Sequence, residues 1–167
     1  MRVISVVGWK NNGKTTLVVR LVEHLTRQGL RVSTVKHAHH SIDLDRPGKD
    51  TWRHREAGAE EVVLATSRRW ILMHELRDEA EPPLAGLLAK LAPVDLVVVE
   101  GFKGTSLPKI EVHRGERGTE LIARNDPDVV AVASDVPLDD LVQPVIHLDD
   151  IEAVSAAVLE HAREIDR

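Results

Sequence analysis

Apolar residues along this chain recur at two spacings, one typical of buried strands and one typical of helices that pack on one face. Residues 2–8 form a short apolar run that ends in glycine, and residues 14–28 then carry leucines and valines at helical spacing before Gly29. Residues 30–35 have the pattern of a second strand. This order predicts a βαβ unit with parallel strands and a right-handed crossover.

The middle of the chain continues the alternation of helices and strands. A helix is predicted over residues 49–57, two strands separated by a charged turn over residues 61–65 and 70–73, and a further helix after Pro83. The most apolar segment follows at residues 95–100, whose central residues are an unbroken run of Leu and Val. Such a segment predicts a strand buried on both faces, as in a parallel sheet.

The last third of the chain predicts more strands and a closing helix. Residues 109–113 and 120–124, joined by a segment rich in glycine and arginine, have the pattern of a β-hairpin. Further strands are predicted at residues 129–133 and 145–148. An amphipathic helix capped by Asp149 or Asp150 follows, since apolar residues recur on one of its faces.

The strongest chemical signal lies between the first strand and the first helix, where Gly8-Trp-Lys-Asn-Asn-Gly-Lys-Thr-Thr16 fits G-x-x-x-x-G-K-[ST] at every fixed position. The glycines let the backbone curl so that amide N–H groups and a helix N-terminus meet phosphate oxygens together. Lys14 is expected to reach the β and γ phosphates, and the Thr15 hydroxyl to bind Mg²⁺. The predicted phosphate-binding residues are Gly8, Asn11, Asn12, Gly13, Lys14, Thr15 and Thr16.

Together, the loop and the order of elements predict an α/β P-loop NTPase fold of three layers. We expect a mostly parallel sheet with a β-hairpin near residues 109–124. The chain has 167 residues and a mass of 18.5 kDa, which suits one compact core, so residues 1–167 are predicted to form a single nucleotide-binding domain. Aromatic residues make up only 2% of the chain, so the core must be aliphatic.

Charge and composition exclude several classes of function. The net charge of −5 and the pI near 6.0 argue against a general nucleic-acid binder, because no surplus of cations is available to displace counterions. The absence of cysteine excludes disulfides and thiolate zinc sites. No apolar run approaches the roughly 20 residues that span a bilayer, so we expect a cytoplasmic protein without a membrane segment.

Glu100 is the predicted acidic partner of the phosphate loop. It ends the most apolar strand, where a carboxylate can orient Mg²⁺ or polarise an attacking water. Asp95 begins the same strand and should lie about 15 Å or more away at about 3.3 Å per residue, so we interpret it as structural.

The segment Lys36-His-Ala-His-His-Ser-Ile-Asp-Leu-Asp45 follows the second strand and should lie at the same sheet edge as the phosphate loop. Its side chains could bind a transition metal, bind an anionic substrate through protonated rings, or place Asp43 or Asp45 near Mg²⁺ as a nucleotide-responsive switch. These alternatives stay open at this point.

Several blocks of the chain, in order and spacing, resemble the MobB family of molybdopterin-guanine dinucleotide biosynthesis adaptor proteins. The resemblance spans nearly the whole chain and implies a SIMIBI-class P-loop GTPase fold. It also implies a homodimer that binds GTP with Mg²⁺, hydrolyses it slowly at most, and assists the enzyme joining a GMP moiety to molybdopterin. The blocks are residues 8–16, 36–40, 43–50, 57–59, 69–70, 99–103 and 133–135.

The resemblance also implies roles for single residues. Gly13, Lys14, Thr15 and Thr16 would hold phosphates and Mg²⁺, and Glu100 and Gly101 would lie near the γ phosphate. Lys14 and Glu100 would then be the catalytic residues of any hydrolysis, and Asp45 a magnesium-side carboxylate.

Guanine recognition departs from the familiar pattern, because the chain has no Asn-Lys-x-Asp string. Ser134 and Asp135, after a predicted strand, could replace it, since a carboxylate accepts from guanine N1 and N2 but finds no such donor pair on adenine. A second departure is Trp9, which stands where many dimeric relatives carry a lysine.

The implied partner is a molybdopterin guanylyltransferase of the MobA type, with molybdopterin and molybdoenzyme chaperones as further candidates. Two other functions remain alternatives. A small-molecule kinase would use Arg114, Arg117 and Arg124 as a lid on the predicted hairpin. A metal chaperone would use His37, His39 and His40 with GTP as a timer.

Overall fold

The computed structural model describes residues 1–38 and 45–165, which divide into two compact units. The larger unit combines Met1–His37 with Leu84–Arg167, and the smaller unit is Ala38–Pro83. The strands are β1 (Arg2–Val7), β2 (Val32–Lys36), β3 (Glu61–Ala65), β4 (Trp70–His74), β5 (Leu96–Glu100), β6 (Lys109–His113), β7 (Val129–Ser134), β8 (Val145–His147) and β9 (Arg163–Glu164). The α-helices are α1 (Lys14–Arg27), α2 (Asp50–Glu56), α3 (Leu84–Ala89) and α4 (Ile151–His161), and two short 3-10 helices cover Gly115–Arg117 and Ile122–Arg124.

The larger unit is built on a parallel sheet with the strand order β2-β5-β1-β6-β7-β8. The short strand β9 adds to β1 in the antiparallel direction. β1 and β2 run parallel as predicted, with β5 between them. Because all of the parallel strands point the same way, their carboxyl ends form one edge of the sheet, where ligands of such folds gather.

The two faces of the sheet pack against different helices. Alternate side chains of β1 and β5 point to opposite sides, so that Ile4 and Val98 join the core under α1 and α4, whereas Val3 and Val97 join the core under α3. These β5 residues are fully buried, which confirms the predicted burial on both faces. Each aliphatic side chain removed from water contributes roughly 1.5–3 kcal/mol. The result is the predicted three-layer α/β P-loop fold.

The predicted hairpin near residues 109–124 is wrong. β6 lies between β1 and β7 and runs parallel to both, so it has no free edge for an antiparallel return strand. The second half of the predicted hairpin is instead the 3-10 helix Ile122–Arg124. The buried Glu111 carboxylate accepts hydrogen bonds from the backbone N–H groups of Ile122 and Ala123, at 2.9 and 2.8 Å, and thereby replaces the strand partner of this segment.

An antiparallel hairpin is present in the smaller unit. β3 and β4 pair from Glu61 opposite His74 to Ala65 opposite Trp70, which confirms the two strands predicted there. The Thr66 hydroxyl accepts from the backbone N–H of Arg69 at 3.1 Å and shapes the turn between them. The large apolar side chains that this hairpin leaves exposed are Val63, Leu64, Trp70, Ile71 and Leu72.

The closing helix α4 begins as predicted, with Asp150 as its cap. The Asp150 carboxylate accepts from the backbone N–H of Ala153 at 3.0 Å. Within residues 1–38 and 45–165, none of the helices has the length and apolar character that a membrane crossing requires.

Candidate functional site

The phosphate loop joins β1 to α1, and its two fixed glycines have backbone conformations that suit glycine. Gly8 has φ 148°, and a Cβ atom on it would lie 2.6 Å from the Val112 carbonyl oxygen of β6. Gly13 has φ 94° in the left-handed region and caps the N-terminus of α1. The loop therefore passes close to β6 before it turns into the helix, and side chains at these two positions would oppose that path.

Lys14 crosses the loop that precedes it. Its ammonium donates a hydrogen bond to the Trp9 carbonyl oxygen at 2.9 Å. Burial lowers the pKa of Lys14, and the neighbouring ammonium of Lys103 lowers it further. The side chain thus sits at the loop with a charge that lacks full hydration, which strengthens its attraction for an anion.

Thr15, Glu100 and Lys36 meet at the carboxyl edge of the sheet. The Thr15 hydroxyl donates to Oε1 of Glu100 at 2.7 Å, and the Lys36 ammonium lies 3.1 Å from the same oxygen and 3.2 Å from the Thr15 hydroxyl. Lys36 and Glu100 are partners in the β2–β5 register, which places both at the ends of neighbouring strands. The predicted pairing of the loop with Glu100 is therefore present in the fold.

This cluster has the chemistry of a magnesium site. A threonine hydroxyl and a carboxylate are the hard oxygen ligands that Mg²⁺ prefers. The Lys36 ammonium contacts both oxygens, so their surroundings already favour a cation. Thr15 and Glu100 thus fit the ion. Sequence reasoning placed Lys36 at this edge of the sheet but gave it no role, although its position at a strand end beside Glu100 could have suggested one.

Two arginines that follow β6 also reach the phosphate loop. The Arg114 guanidinium lies beside Gly13, where its Nε would be 3.2 Å from a Cβ added to that glycine. Arg117 lines a cavity of about 350 Å³. The other residues that line this cavity are Asn11, Gly13, Lys14, Thr15, Thr16 and Glu100. Arg124 lies among the linings of other cavities, so the three arginines do not form one lid.

Asn12 supports the loop from inside. Its side chain is buried, and its amide donates to the Val112 carbonyl oxygen at 3.3 Å and to the Thr119 hydroxyl at 3.2 Å. The side chain therefore ties the phosphate loop to β6 and to the segment after it, whereas Asn11 lines the cavity.

The turn after β5 brings a further lysine to the loop. Gly101 and Phe102 both have positive φ, 99° and 52°, and the Phe102 ring stacks on His37 with a centroid distance of 4.5 Å. Lys103 follows, and its ammonium lies 3.8 Å from the centroid of the Trp9 ring. Sequence reasoning placed Gly101 near the site but did not assign Lys103.

Ser134 and Asp135 lie at the end of β7, one strand beyond β6. The Asp135 carboxylate accepts from the backbone N–H of Gly115 at 2.9 Å and from Arg114 at 3.2 Å. The Gly115 hydrogen bond is the main cause of a lowered pKa at Asp135, and the Arg114 charge adds to it. Since Arg114 also lies beside Gly13, it connects the predicted base-reading carboxylate with the phosphate loop.

Asp45 belongs to the smaller unit. Its carboxylate accepts from the Thr51 hydroxyl at 2.9 Å and lies 3.5 Å from the Arg55 guanidinium. His39, His40 and Asp43 lie outside the described residues. Within residues 1–38 and 45–165, no three His, Asp or Glu side chains lie around one position that could hold a metal ion.

Comparison with known proteins assigns this site to a family. A family model described as molybdopterin guanine dinucleotide synthesis protein B, MobB, matches residues 3–135. The chain is 40% identical over 162 residues to the molybdopterin-guanine dinucleotide biosynthesis adapter protein of Escherichia coli K12, covering 94% of this chain and 91% of that protein. It is 39% identical over 136 residues to the protein of the same name from Haemophilus influenzae, covering 81% and 76%.

A solved structure agrees with these sequence matches. The MobB protein homolog from Bacillus stearothermophilus superposes with a TM-score of 0.71 at 29% identity, covering 96% of this chain and 97% of that one. The family match begins in β1, includes the phosphate loop and Glu100, and ends at Asp135, so it contains each group of the site in the larger unit. This chain belongs to the MobB family, the molybdopterin guanine dinucleotide synthesis B proteins.

Proposed function

We propose that this protein binds GTP with Mg²⁺ and acts as an adaptor in molybdopterin guanine dinucleotide synthesis. Its relatives from E. coli and H. influenzae are named as adapter proteins of that biosynthesis. The observation that carries the nucleotide part is the hydrogen bond between Thr15 and Glu100, beside the phosphate loop and Lys14. That arrangement combines backbone donors, a mobile cation and two hard oxygen ligands at one helix N-terminus.

Thr15 and Glu100 would hold the Mg²⁺ ion, and the ion would neutralise charge on the β and γ phosphates. With Mg²⁺ held there, the Lys36 ammonium would no longer contact the Glu100 and Thr15 oxygens. Lys36 can then turn toward a phosphate, since half of its side chain is exposed. Asp45 remains a proposed magnesium-side carboxylate, as the resemblance implies; within the smaller unit its carboxylate contacts Thr51 and Arg55.

Asp135 is the proposed guanine reader. A carboxylate has about four acceptor sites, and Asp135 uses two for Gly115 and Arg114, so it retains capacity for the N1 and N2 donors of guanine. Its side chain is 27% exposed, which leaves it accessible to a base. The Ser134 hydroxyl donates to the Val136 carbonyl oxygen at 2.8 Å and accepts from the Val136 backbone N–H at 3.1 Å. Ser134 would therefore position Asp135 rather than contact the base itself.

Slow hydrolysis at most is consistent with the surroundings of Glu100. Its Oε1 bonds the Thr15 hydroxyl, and a carboxylate that also holds Mg²⁺ would have less capacity to accept a proton from water. Lys14 and Glu100 remain the residues that would act in any hydrolysis.

The kinase alternative is not supported by an arginine lid, because Arg114 bonds Asp135 and Arg124 lines a different cavity.

A homodimer is the proposed assembly, and the β3–β4 hairpin supports it. A two-stranded hairpin is marginal by itself, and this one exposes Trp70 at 69% and Val63 at 62%. Pairing with a second copy would remove these side chains from water. Sedimentation should show a Trp70→Asp variant as a monomer. A matched change at Val142, an exposed valine of the larger unit, should leave the dimer intact.

The proposed partner is a molybdopterin guanylyltransferase of the MobA type in the cytoplasm, with molybdopterin and molybdoenzyme chaperones as further candidates.

The experiment that tests nucleotide binding is calorimetric titration of GTP, GDP and ATP with Mg²⁺ into the protein and a Lys14→Ala variant. GTP should bind at least about tenfold more weakly to the variant, a difference of about 1.4 kcal/mol. Equal affinity in the two proteins would refute the nucleotide claim.

The adaptor part is tested by capture of purified guanylyltransferase on the tagged protein, with and without GTP. Capture that rises with GTP supports the role of nucleotide in partner binding. No capture under either condition would contradict the partner assignment, even where the nucleotide binds.

A further inference from the structure

Lys103 and Trp9 form a contact that the phosphate loop motif does not require. We propose that Lys103, held on the face of Trp9, is a second cation for the terminal phosphate of a bound nucleoside triphosphate, supplied from the same chain as the loop. This inference rests on the proposed function and deepens it, because it names the residue that separates triphosphate from diphosphate.

The backbone before Lys103 is held in an unusual conformation. Phe102 has φ 52°, a left-handed value that costs a residue other than glycine about 1 kcal/mol or more. Its ring stacks on His37, and its carbonyl oxygen accepts from the backbone N–H and the hydroxyl of Thr105, at 3.1 and 2.9 Å. Such strain persists where surrounding contacts fix it, and here it fixes the direction in which Lys103 leaves the turn.

Trp9 is held from the opposite side. Its indole N–H donates to the Glu120 carbonyl oxygen at 2.7 Å, which sets the plane of the ring. Lys103 lies over that ring at 3.8 Å, while Lys14 donates to the carbonyl oxygen of the same residue at 2.9 Å. One tryptophan therefore holds two ammonium groups, one on its ring and one on its backbone.

The two lysines bring like charges together at the loop. Lys103 is, after burial, the largest cause of the lowered pKa of Lys14, and burial lowers the pKa of Lys103 itself. Across residues 1–38 and 45–165, no carboxylate forms a salt bridge with either lysine. The negative charge of Glu111 raises the pKa of Lys103, against the larger effect of burial, and the Glu111 carboxylate itself bonds two backbone N–H groups. An anion that reaches both lysines would relieve this repulsion.

The location favours the terminal phosphate over the others. Lys103 follows Glu100 by three residues, and Glu100 bonds Thr15, the proposed magnesium ligand that marks the γ side of the loop. Arg114, by contrast, connects Gly13 with Asp135, the proposed base side. Lys103 is therefore expected to contribute to binding of GTP and much less to binding of GDP.

The test compares Lys103 with an exposed lysine outside the site. A Lys103→Met variant keeps the apolar stem and removes the charge, and Lys90→Met makes the same change at an exposed lysine that follows α3. Calorimetric titration with Mg²⁺ and a slowly hydrolysed GTP analogue should show about tenfold weaker binding for Lys103→Met, with GDP affinity changed less than about twofold. Lys90→Met should leave the ratio of the two affinities as it is in the unmodified protein.

A Lys103→Arg variant keeps the charge and the contact with an aromatic ring, so it should restore most of the preference for triphosphate. Equal losses for triphosphate and diphosphate in Lys103→Met, or no loss for either, would overturn the proposal while leaving GTP binding intact. If the unmodified protein binds no nucleotide, or if Lys14→Ala binds GTP as tightly, the proposed function fails, and the role of Lys103 fails with it.

Discussion

The two edges of the parallel sheet in the larger unit differ in how completely their cations are paired with carboxylates. At the amino edge, the cations meet carboxylates: Arg31 pairs with Asp95 at 3.6 Å, and the buried Lys109 lies 3.0 Å from Asp126 and 3.4 Å from Asp128. At the carboxyl edge, Lys36 pairs with Glu100 and Arg114 with Asp135, but Lys14 and Lys103, which both contact Trp9, form no salt bridge with a carboxylate among the described residues. The difference separates charges that build the fold from charges placed for a ligand.

This contrast predicts that substitutions at the amino edge lower stability and spare nucleotide binding, whereas substitutions at the carboxyl edge do the reverse. The physical reason is that a charge paired with another charge of the protein stabilises the folded state. A charge without a protein partner instead gains energy from an incoming anion.

The largest effect is expected at Lys109, whose side chain is only 1% exposed. Lys109→Met leaves Asp126 and Asp128 facing each other without the cation between them. The variant should lose about 2–4 kcal/mol of unfolding free energy, toward the lower end because both carboxylates are partly exposed. Urea denaturation measures this loss, with Lys90→Met at an exposed lysine as the control. A GTP affinity that falls while stability stays constant would contradict the contrast.

Gly8→Ala should have the largest effect on binding. Its methyl group would meet the Val112 carbonyl oxygen at 2.6 Å, so the loop must move away from β6 and its amide groups lose their direction. GTP affinity, measured by calorimetry, should fall by about 100-fold or more, which corresponds to about 2.7 kcal/mol. Gly104→Ala is the matched control, because open space surrounds that glycine. Unchanged affinity in Gly8→Ala would show that the loop does not hold the phosphates.

Asp135→Asn tests the base side of the carboxyl edge. The amide would offer a donor where guanine also offers donors, so the preference for GTP over ATP should fall by about tenfold or more. Competition titration of the two nucleotides measures the ratio. Asp139→Asn provides the same change at an exposed aspartate outside the site. An unaltered ratio in Asp135→Asn would assign guanine recognition to other residues.

Much of the fold and the centre of the site could be predicted because their signals are local. The loop motif has fixed spacing between a strand and a helix, and Glu100 ends the most apolar strand, so both follow from short stretches of sequence. The hairpin near residues 109–124 was wrong because the central position of β6 depends on its pairing with β1, about 100 residues away in sequence. The buried carboxylate of Glu111, which holds Ile122 and Ala123, gives no local signal.

The residues that sequence reasoning missed are also products of tertiary contacts. Lys103 reaches Trp9 only because Phe102 adopts a left-handed conformation and Glu120 holds the indole N–H. Arg114 was placed on a hairpin lid, but its bond to Asp135 brings it beside Gly13. Periodicity reports which face of an element is buried, and it does not report which distant side chain a charged residue meets.

The smallest effect is expected at Asp95, the amino-edge counterpart of Glu100 on the same strand. The backbone N–H of Arg31 donates to its carboxylate at 2.7 Å, and this hydrogen bond, with the Arg31 charge, lowers the pKa of Asp95. A lowered pKa in the folded state means that the stabilisation is complete above the ordinary value of 3.8 and is lost as the pH falls through the lower, folded value. At pH 7, Asp95→Asn should therefore lower Tm by about 1–2 °C at most, because the group is exposed to solvent. GTP affinity should not change.

The measurement is thermal unfolding of both proteins from pH 7 to about 2. The difference in Tm between the unmodified protein and Asp95→Asn should disappear at the acid end of this range. A difference that persists there, or a loss of GTP affinity in Asp95→Asn, would show that the two ends of β5 do not divide structure from binding.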